Sequence, residues 1–246
     1  MGRWITSTYR LRLNGTAIQI RHAVGASAVS IAVVMAGSAA INANGEERCT
    51  SARVGIRFGL TPDTDAGLTT DLVHEMAAVW KPNDIEIVQY TDGPTSDSQM
   101  AVAIVLTSTL PPFATRGVLG WTTFVDGRVP LPVIYLSVPA TRALLATGRF
   151  LGVPMPEVPR PVHSLLVARA LGRAAAHELG HYLLGSTQHG ATGLMRLSFT
   201  VDQLIDNRRQ PFRLQHPDRL ALTARMREMA PSCASAISES TAGPEL

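Results

Sequence analysis

Residues 165–196 read LLVARALGRAAAHELGHYLLGSTQHGATGLMR, an apolar helical run from Ser164 that ends at Gly185 and carries HELGH at 177–181. His177 and His181 stand four residues apart, which on an α-helix leaves them about 40° apart on one face and about 6 Å apart along the axis. Two imidazoles placed in this way converge on a zinc ion at about 2.0–2.1 Å from each ring nitrogen. Glu178 lies one position round, too close to chelate beside His177, and suits a general base acting on water held at the metal. Ala168, Gly172, Ala175 and Leu179 share a face, and small residues there predict a helix packed close to a sheet and rigid enough to aim both histidines. HExxH is short and recurs by chance; here an apolar helical segment holds it, and a third histidine, His189, and a methionine, Met195, follow.

The rest of the chain supplies a sheet for that helix. VGIRFGL (54–60) and DIEIVQY (84–90) read as strands around a helix over 69–80, with Thr69 or Thr70 as its N-cap and Pro82 as its stop. MAVAIVLTS (100–108) is an almost continuous apolar run, as in a central strand buried on both faces. GVLGWTTF (117–124) and PVIYLSV (132–138) flank the turn VDGRVP as a hairpin, and a short helix over 139–147 leads into a proline-rich connection. Two helices follow the metal motif, in VDQLIDN and PDRLALTARMREM. The expected class is α+β: a mixed sheet backed by helices, a long helix ending at the site, and a small helical tail.

The first 43 residues contain no acid and four arginines, Arg3, Arg10, Arg12 and Arg21, and AVGASAVSIAVVMAGSAAI (23–41) is uncharged. That order spells an export signal cut after Ala40 or Ala43, leaving 44–246 as the mature domain. The competing reading is an uncleaved anchor over 23–41, the one circumstance that implies membrane contact. The chain has 22 basic and 19 acidic residues and a pI near 9.2, but without those four arginines the basic count is 18. The basic excess thus belongs to the targeting segment, and no nucleic-acid surface is expected on the mature domain. Cys49 and Cys233, near the two ends of the mature chain, are expected to pair as a disulfide in an exported protein, against the alternatives of free thiols or of Cys49 capping the metal in a latent form, for which EERCTSARVG carries no recognisable switch sequence.

At HELGHYLLGSTQHGATGLM the chain resembles the metzincin clan of zinc endopeptidases, matrixins most closely. Their pattern is HExxHxxGxxH followed by a turn whose methionine lies beneath the metal. The resemblance implies His177, His181 and His189 as ligands of one catalytic Zn2+, Glu178 as general base and Met195 as the methionine of the turn. Gly185 corresponds to the glycine where the helix ends. It also implies a metzincin-like five-stranded mixed sheet with an active-site helix, a Met-turn and a C-terminal helical subdomain, and a monomer acting on peptide or protein substrates. The pattern is expanded to HExxHxxxGxxxH, and no matrixin-type serine follows His189. One added residue turns the helix exit by about 100° and about 1.5 Å, and one added loop residue restores up to about 3.5 Å of reach, so the two can compensate. Without that compensation His189 is a solvated loop histidine, and the later carboxylates, Asp202, Asp206 and Glu228, are the other candidates for a third ligand.

The remaining side chains take plainer roles. His74, His163 and His216 read as surface or capping residues. Tyr182 points off the ligand face and reads as packing. Trp121 lies on the strand expected at the sheet edge, where it either packs or meets extended substrate. Besides an exported zinc endopeptidase, the sequence admits a zinc-binding or protein-binding domain without turnover, or a zinc hydrolase acting on another amide.

Overall fold

The computed structural model describes residues 6–13, 16–23, 52–59, 66–90, 100–108 and 117–229. Two compact units divide the chain, residues 1–35 and 36–246. In the first, β1 (Thr6–Leu13) and β2 (Thr16–Ala23) pair antiparallel, from Thr6 opposite Ala23 to Leu13 opposite Thr16. Most of the apolar segment 23–41, both possible cleavage sites and both cysteines, Cys49 and Cys233, lie outside the described residues. Among the described residues no helix is long and apolar enough to cross a membrane.

The second unit is built on a five-stranded sheet formed by β3 (Ala52–Gly59), β4 (Ile85–Gln89), β5 (Met100–Thr107), β6 (Gly120–Val125) and β7 (Val129–Ser137), in the order β4-β3-β5-β7-β6. The first four strands in that order run parallel and β6 returns antiparallel along β7 as an edge. The hairpin between β6 and β7 turns on Asp126 and Gly127, both at positive φ (51° and 68°), the conformation that makes Asp-Gly a tight-turn pair. Helix α1 (Ala66–Trp80) joins β3 to β4, and α2 (Val138–Leu145) follows β7. The long α3 (Arg160–Leu184) carries HELGH, and α4 (Val201–Ile205) and α5 (His216–Met229) complete the small C-terminal part. The expected mixed five-stranded sheet backed by helices is the architecture observed.

Four details differ from the sequence reading. Helix α1 begins at Ala66, so Thr69 and Thr70 lie inside its first turns and neither caps it. Helix α3 begins at Arg160, where Pro161 fits because the first-turn N–H groups need no helical partner. β5 alternates: Met100, Val102, Ile104 and Leu106 are buried, while Ala101, Ala103, Val105 and Thr107 are half-buried, so the helices fully cover one face only. The small residues of α3 do not all serve the sheet. A Cβ on Gly172 would strike the Leu72 carbonyl and the Glu75 side chain, so that glycine brings α3 against α1.

Where α1, α3 and the C-terminal part meet, the core encloses charge. Arg173 is fully buried; its Nε donates to Glu75 Oε1 at 2.8 Å, and its terminal nitrogens donate to the carbonyls of Gln203 and, at 3.3 Å, Arg208. Its guanidinium lies 4.6 Å from the centre of the Phe212 ring. Arg209 reaches the second oxygen of Glu75 at 2.6 Å. Burial pulls the Arg173 pKa down and the hydrogen-bonded Glu75 carboxylate opposes the shift. Breaking such a buried pair leaves an uncompensated charge, which costs about 3–5 kcal/mol. Arg173→Met should therefore lower unfolding free energy by about 3 kcal/mol in urea titrations. Adding Glu75→Gln should recover part of the loss, and a change below about 1 kcal/mol in the single variant would rule out this pin between subdomains.

Candidate metal centre

Helix α3 ends one turn after His181, and the way it ends sets that ring. Gly185 takes the left-handed conformation (φ 60°, ψ 32°), its N–H meets the Tyr182 carbonyl and the Ser186 N–H meets the His181 carbonyl at 3.2 Å. These two bonds close a Schellman motif, which glycine adopts without a Cβ penalty. The reversal turns the Ser186 carbonyl back onto the site, where His181 Nδ1 donates to it at 2.7 Å. His177 is held in the same manner from the other side, with Nδ1 donating to the Leu194 carbonyl at 2.7 Å.

Those two bonds fix the tautomers. With its hydrogen on Nδ1, each imidazole presents a bare lone pair at Nε2. The two Nε2 atoms face each other across 3.0 Å, a separation at which neither can donate to the other and a cation between them relieves the repulsion. His189 completes the group: one ligand atom from each of His177, His181 and His189 lies within 4.8 Å of the others, and the His189 ring is 5.3 Å and 4.8 Å from the two helix rings. Zinc–nitrogen bonds of about 2.0–2.1 Å in a tetrahedron separate their nitrogens by roughly 3.3 Å. Borderline-soft imidazole donors, three in number with both helix rings oriented by carbonyls, fit zinc. No carboxylate joins the group among the described residues. Asp206 pairs with Arg208 and Glu228 with Arg225, and His74, His163 and His216 lie apart from the cluster.

His189 reaches the pair through the turn beneath it. Gly190 N–H donates to the Met195 carbonyl at 2.7 Å and Leu194 N–H to the Arg213 carbonyl at 2.9 Å, tying the His189 loop to residues 193–196 and these to the C-terminal part. Gly193 is at φ 76°, and a Cβ there would strike the Arg213 carbonyl and Gln215. Met195, 2% exposed, lies under the helix between the two ligand turns, and a Cβ on Gly180 would collide with its sulfur. The glycine of HELGH is thus the notch that admits the methionine. At the same level Trp80 Nε1 donates to the Ala176 carbonyl at 3.2 Å, fastening the end of α1 to the helix.

Glu178 is buried under the edge strand. A Cβ on Gly120 would press on Glu178 Cγ, Leu136 and the Tyr135 carbonyl, and two residues on, the Thr122 hydroxyl donates to the Glu178 main-chain carbonyl at 3.0 Å. Burial raises the Glu178 pKa to about 7, while hydrogen bonding from Thr122 acts to lower it. Burial likewise lowers the His177 pKa to about 4, helped by His181 and His189 and opposed by the Leu194 bond. The His181 and His189 pKa values are also lowered, chiefly by desolvation even though His189 is exposed, a shift that favours the neutral, metal-binding form of each ring. Tyr182 packs against the core and Trp121 stacks on Tyr135 at 5.1 Å. A cleft of about 690 Å³ runs between β6 and the ligand face of α3, closed on its far side by Arg196 to Phe199.

Gly120, Thr122 and Gly180 are functional-site residues that the sequence reading passed over. Glycine inside HExxH is uninformative by itself, since only the path of the chain fifteen residues later gives it a neighbour. Gly120 and Thr122 stand two apart in a strand, which places them on one face, but that this face meets the helix follows only from how α3 packs on the sheet.

In the metal-free protein the fold holds His177 neutral down to about pH 4, whereas the unfolded chain protonates it near 6.5. The unfolded state therefore binds the proton first, and stability falls as pH drops through that window. Denaturant unfolding of metal-free protein should show the loss and His177→Gln should make the profile shallower; equal slopes would contradict the burial of a neutral imidazole.

No family model matches the chain, and no curated protein matches it. Among solved structures it is similar to the archaemetzincin of Methanopyrus kandleri, with TM-score 0.44 and 14% identity over 73% of this chain and 98% of that one. It is similar also to a zinc-dependent peptidase from Methanocorpusculum labreanum strain Z, with TM-score 0.43 and 15% identity over 69% of this chain and 99% of that one.

Proposed function

We propose that the chain is an exported zinc-dependent endopeptidase of metzincin type. The observation that carries the proposal is the pair of bare Nε2 lone pairs 3.0 Å apart, with a third imidazole beside them and a buried carboxylate one residue from the first. His177, His181 and His189 would hold a zinc ion, which would supply Lewis acidity towards water and a carbonyl near neutral pH. Every other part of the chemistry falls to the chain. Glu178, its pKa lifted by burial, accepts the proton of the attacking water on its carboxylate and returns it to the departing amine nitrogen. Gly120 and Thr122 keep that carboxylate beneath the edge strand. Met195, set against Gly180, supports the ligand helix from below.

Peptide substrate suits the shape of the cleft. β6 is a sheet edge, and an extended peptide added along it completes the ladder while lying across the histidines. A chain lying along that edge would extend on either side of the scissile bond, hence an endopeptidase. The proposal includes residues 1–43 as the export signal, with retention of 23–41 as an anchor as the other outcome, and 44–246 as a monomeric catalytic domain closed by a disulfide between Cys49 and Cys233.

Glu178→Gln tests the reading. Hydrolysis of a denatured protein or peptide library should fall by about 10²–10⁴-fold with one zinc per chain retained. Full activity in the variant, or no cleavage by zinc-loaded wild type, would overturn it.

A further inference from the structure

The cleft carries one charge that the proposed chemistry does not use. Of the described residues lining it, Glu178 is the only carboxylate and Arg196 the only arginine or lysine. Arg196 directly follows Met195 in the turn that underlies the ligand helix, and its main chain is fixed there by a bridge to Gly190. Its side chain is placed by two neutral partners. The guanidinium carbon lies over the Phe199 ring at 5.3 Å, and one terminal nitrogen donates to Gln203 Oε1 at 3.3 Å. Gln203 is itself held by the capping box of α4, where its Oε1 accepts from Thr200 N–H and its own N–H meets the Thr200 hydroxyl. Neither partner balances the charge, unlike Arg173 and Arg209 on Glu75 or Arg208 on Asp206.

A preorganised guanidinium that lines a cleft, with one of its nitrogens given to Gln203, matches a carboxylate, which such a group grips through two parallel bonds. Distance sets where that carboxylate falls. The Phe199 ring stands 6.1 Å from the His177 ring and 5.3 Å from the guanidinium carbon, so the cation lies no farther from the His177 ring than those two distances together, a span of about three extended residues at roughly 3.5 Å each. We propose that Arg196 is the specificity-determining residue of this cleft, selecting peptides with a carboxylate within three residues of the scissile bond. The carboxylate is either an Asp or Glu side chain or the C-terminus of the substrate. The inference deepens the peptidase reading and rests on it.

Two arms separate the sources. One is a matched peptide series with Asp or Glu against Asn or Gln at each of the three positions on both sides of the cleaved bond. The other compares free with amidated C-termini. For wild type, one acidic position or the free C-terminus should raise kcat/KM about tenfold, the scale of one charge-assisted contact. Arg196→Met, which keeps the packing on Phe199, should erase that preference while cleavage of the neutral peptides continues, and Arg196→Glu should favour Lys or Arg at the same position. Equal cleavage of acid and amide peptides by wild type, or a preference that survives Arg196→Met, would overturn the proposal. Neutral-peptide cleavage reports the peptidase reading separately. Calorimetric titration of zinc-loaded Glu178→Gln with the acidic and amide peptides reports recognition without turnover. There, about tenfold tighter acidic binding that disappears on adding Arg196→Met supports the role of Arg196, and equal affinity refutes it.

Discussion

Two lone pairs that face each other organise this protein. His177 and His181 each donate from Nδ1 to a main-chain carbonyl, so each must present Nε2 bare, and the helix brings those atoms to 3.0 Å. Left alone the arrangement is repulsive, and a cation between them would relieve it. Both carbonyls come from loops, and both loops depend on glycine. Ser186 is delivered by the left-handed Gly185, and Leu194 by a turn whose Gly193 has no room for a side chain. The metal site therefore governs the local structure on both sides of the helix, and in return those loops set the metal ligands.

The surrounding layers supply rigidity. Trp80 secures α1 to the carbonyl before HELGH, Gly172 lets α1 and α3 touch, and Thr122 joins the edge strand to the helix at Glu178. Arg173, one turn before His177 on α3, fastens the C-terminal part through Glu75, Gln203, Arg208 and Phe212. Gln203 accepts from Arg173 through its main-chain carbonyl and from Arg196 through its side chain, so the same C-terminal part also reaches the cleft wall. A fully buried arginine costs desolvation, and its retention in the core is consistent with fixing how two subdomains meet more than with adding stability.

Much of this was legible in the sequence because local geometry carries it. A spacing of four in a helical run puts two imidazoles on one face whatever the rest of the chain does, and glycine at the end of such a run marks the stop. Asp126-Gly127 announced its turn, and the alternation of strands and helices announced a mixed sheet. What stayed hidden depends on residues far apart in the chain. Counting could offer compensation of the two added residues around Gly185 but not establish it, since the position of His189 depends on the Gly190 bond to Met195 and on the notch at Gly180. The role of Arg173 was hidden because its partner is 98 positions away. A signal did exist: Arg169 and Arg173, four apart among alanines and leucines in an apolar helical run, are out of place unless something pairs with them. β5 reads as buried on both faces because its half-covered side carries Ala and Val, which apolarity alone does not distinguish from core.

We propose that three imidazoles, His189 included, hold one zinc ion. X-ray absorption at the zinc edge of the loaded protein measures the ligand set directly: one ion per chain with three imidazole nitrogens at about 2.0–2.1 Å is expected, falling to two in His189→Ala. A wild-type shell with two imidazoles and a carboxylate, unchanged by His189→Ala, would contradict it.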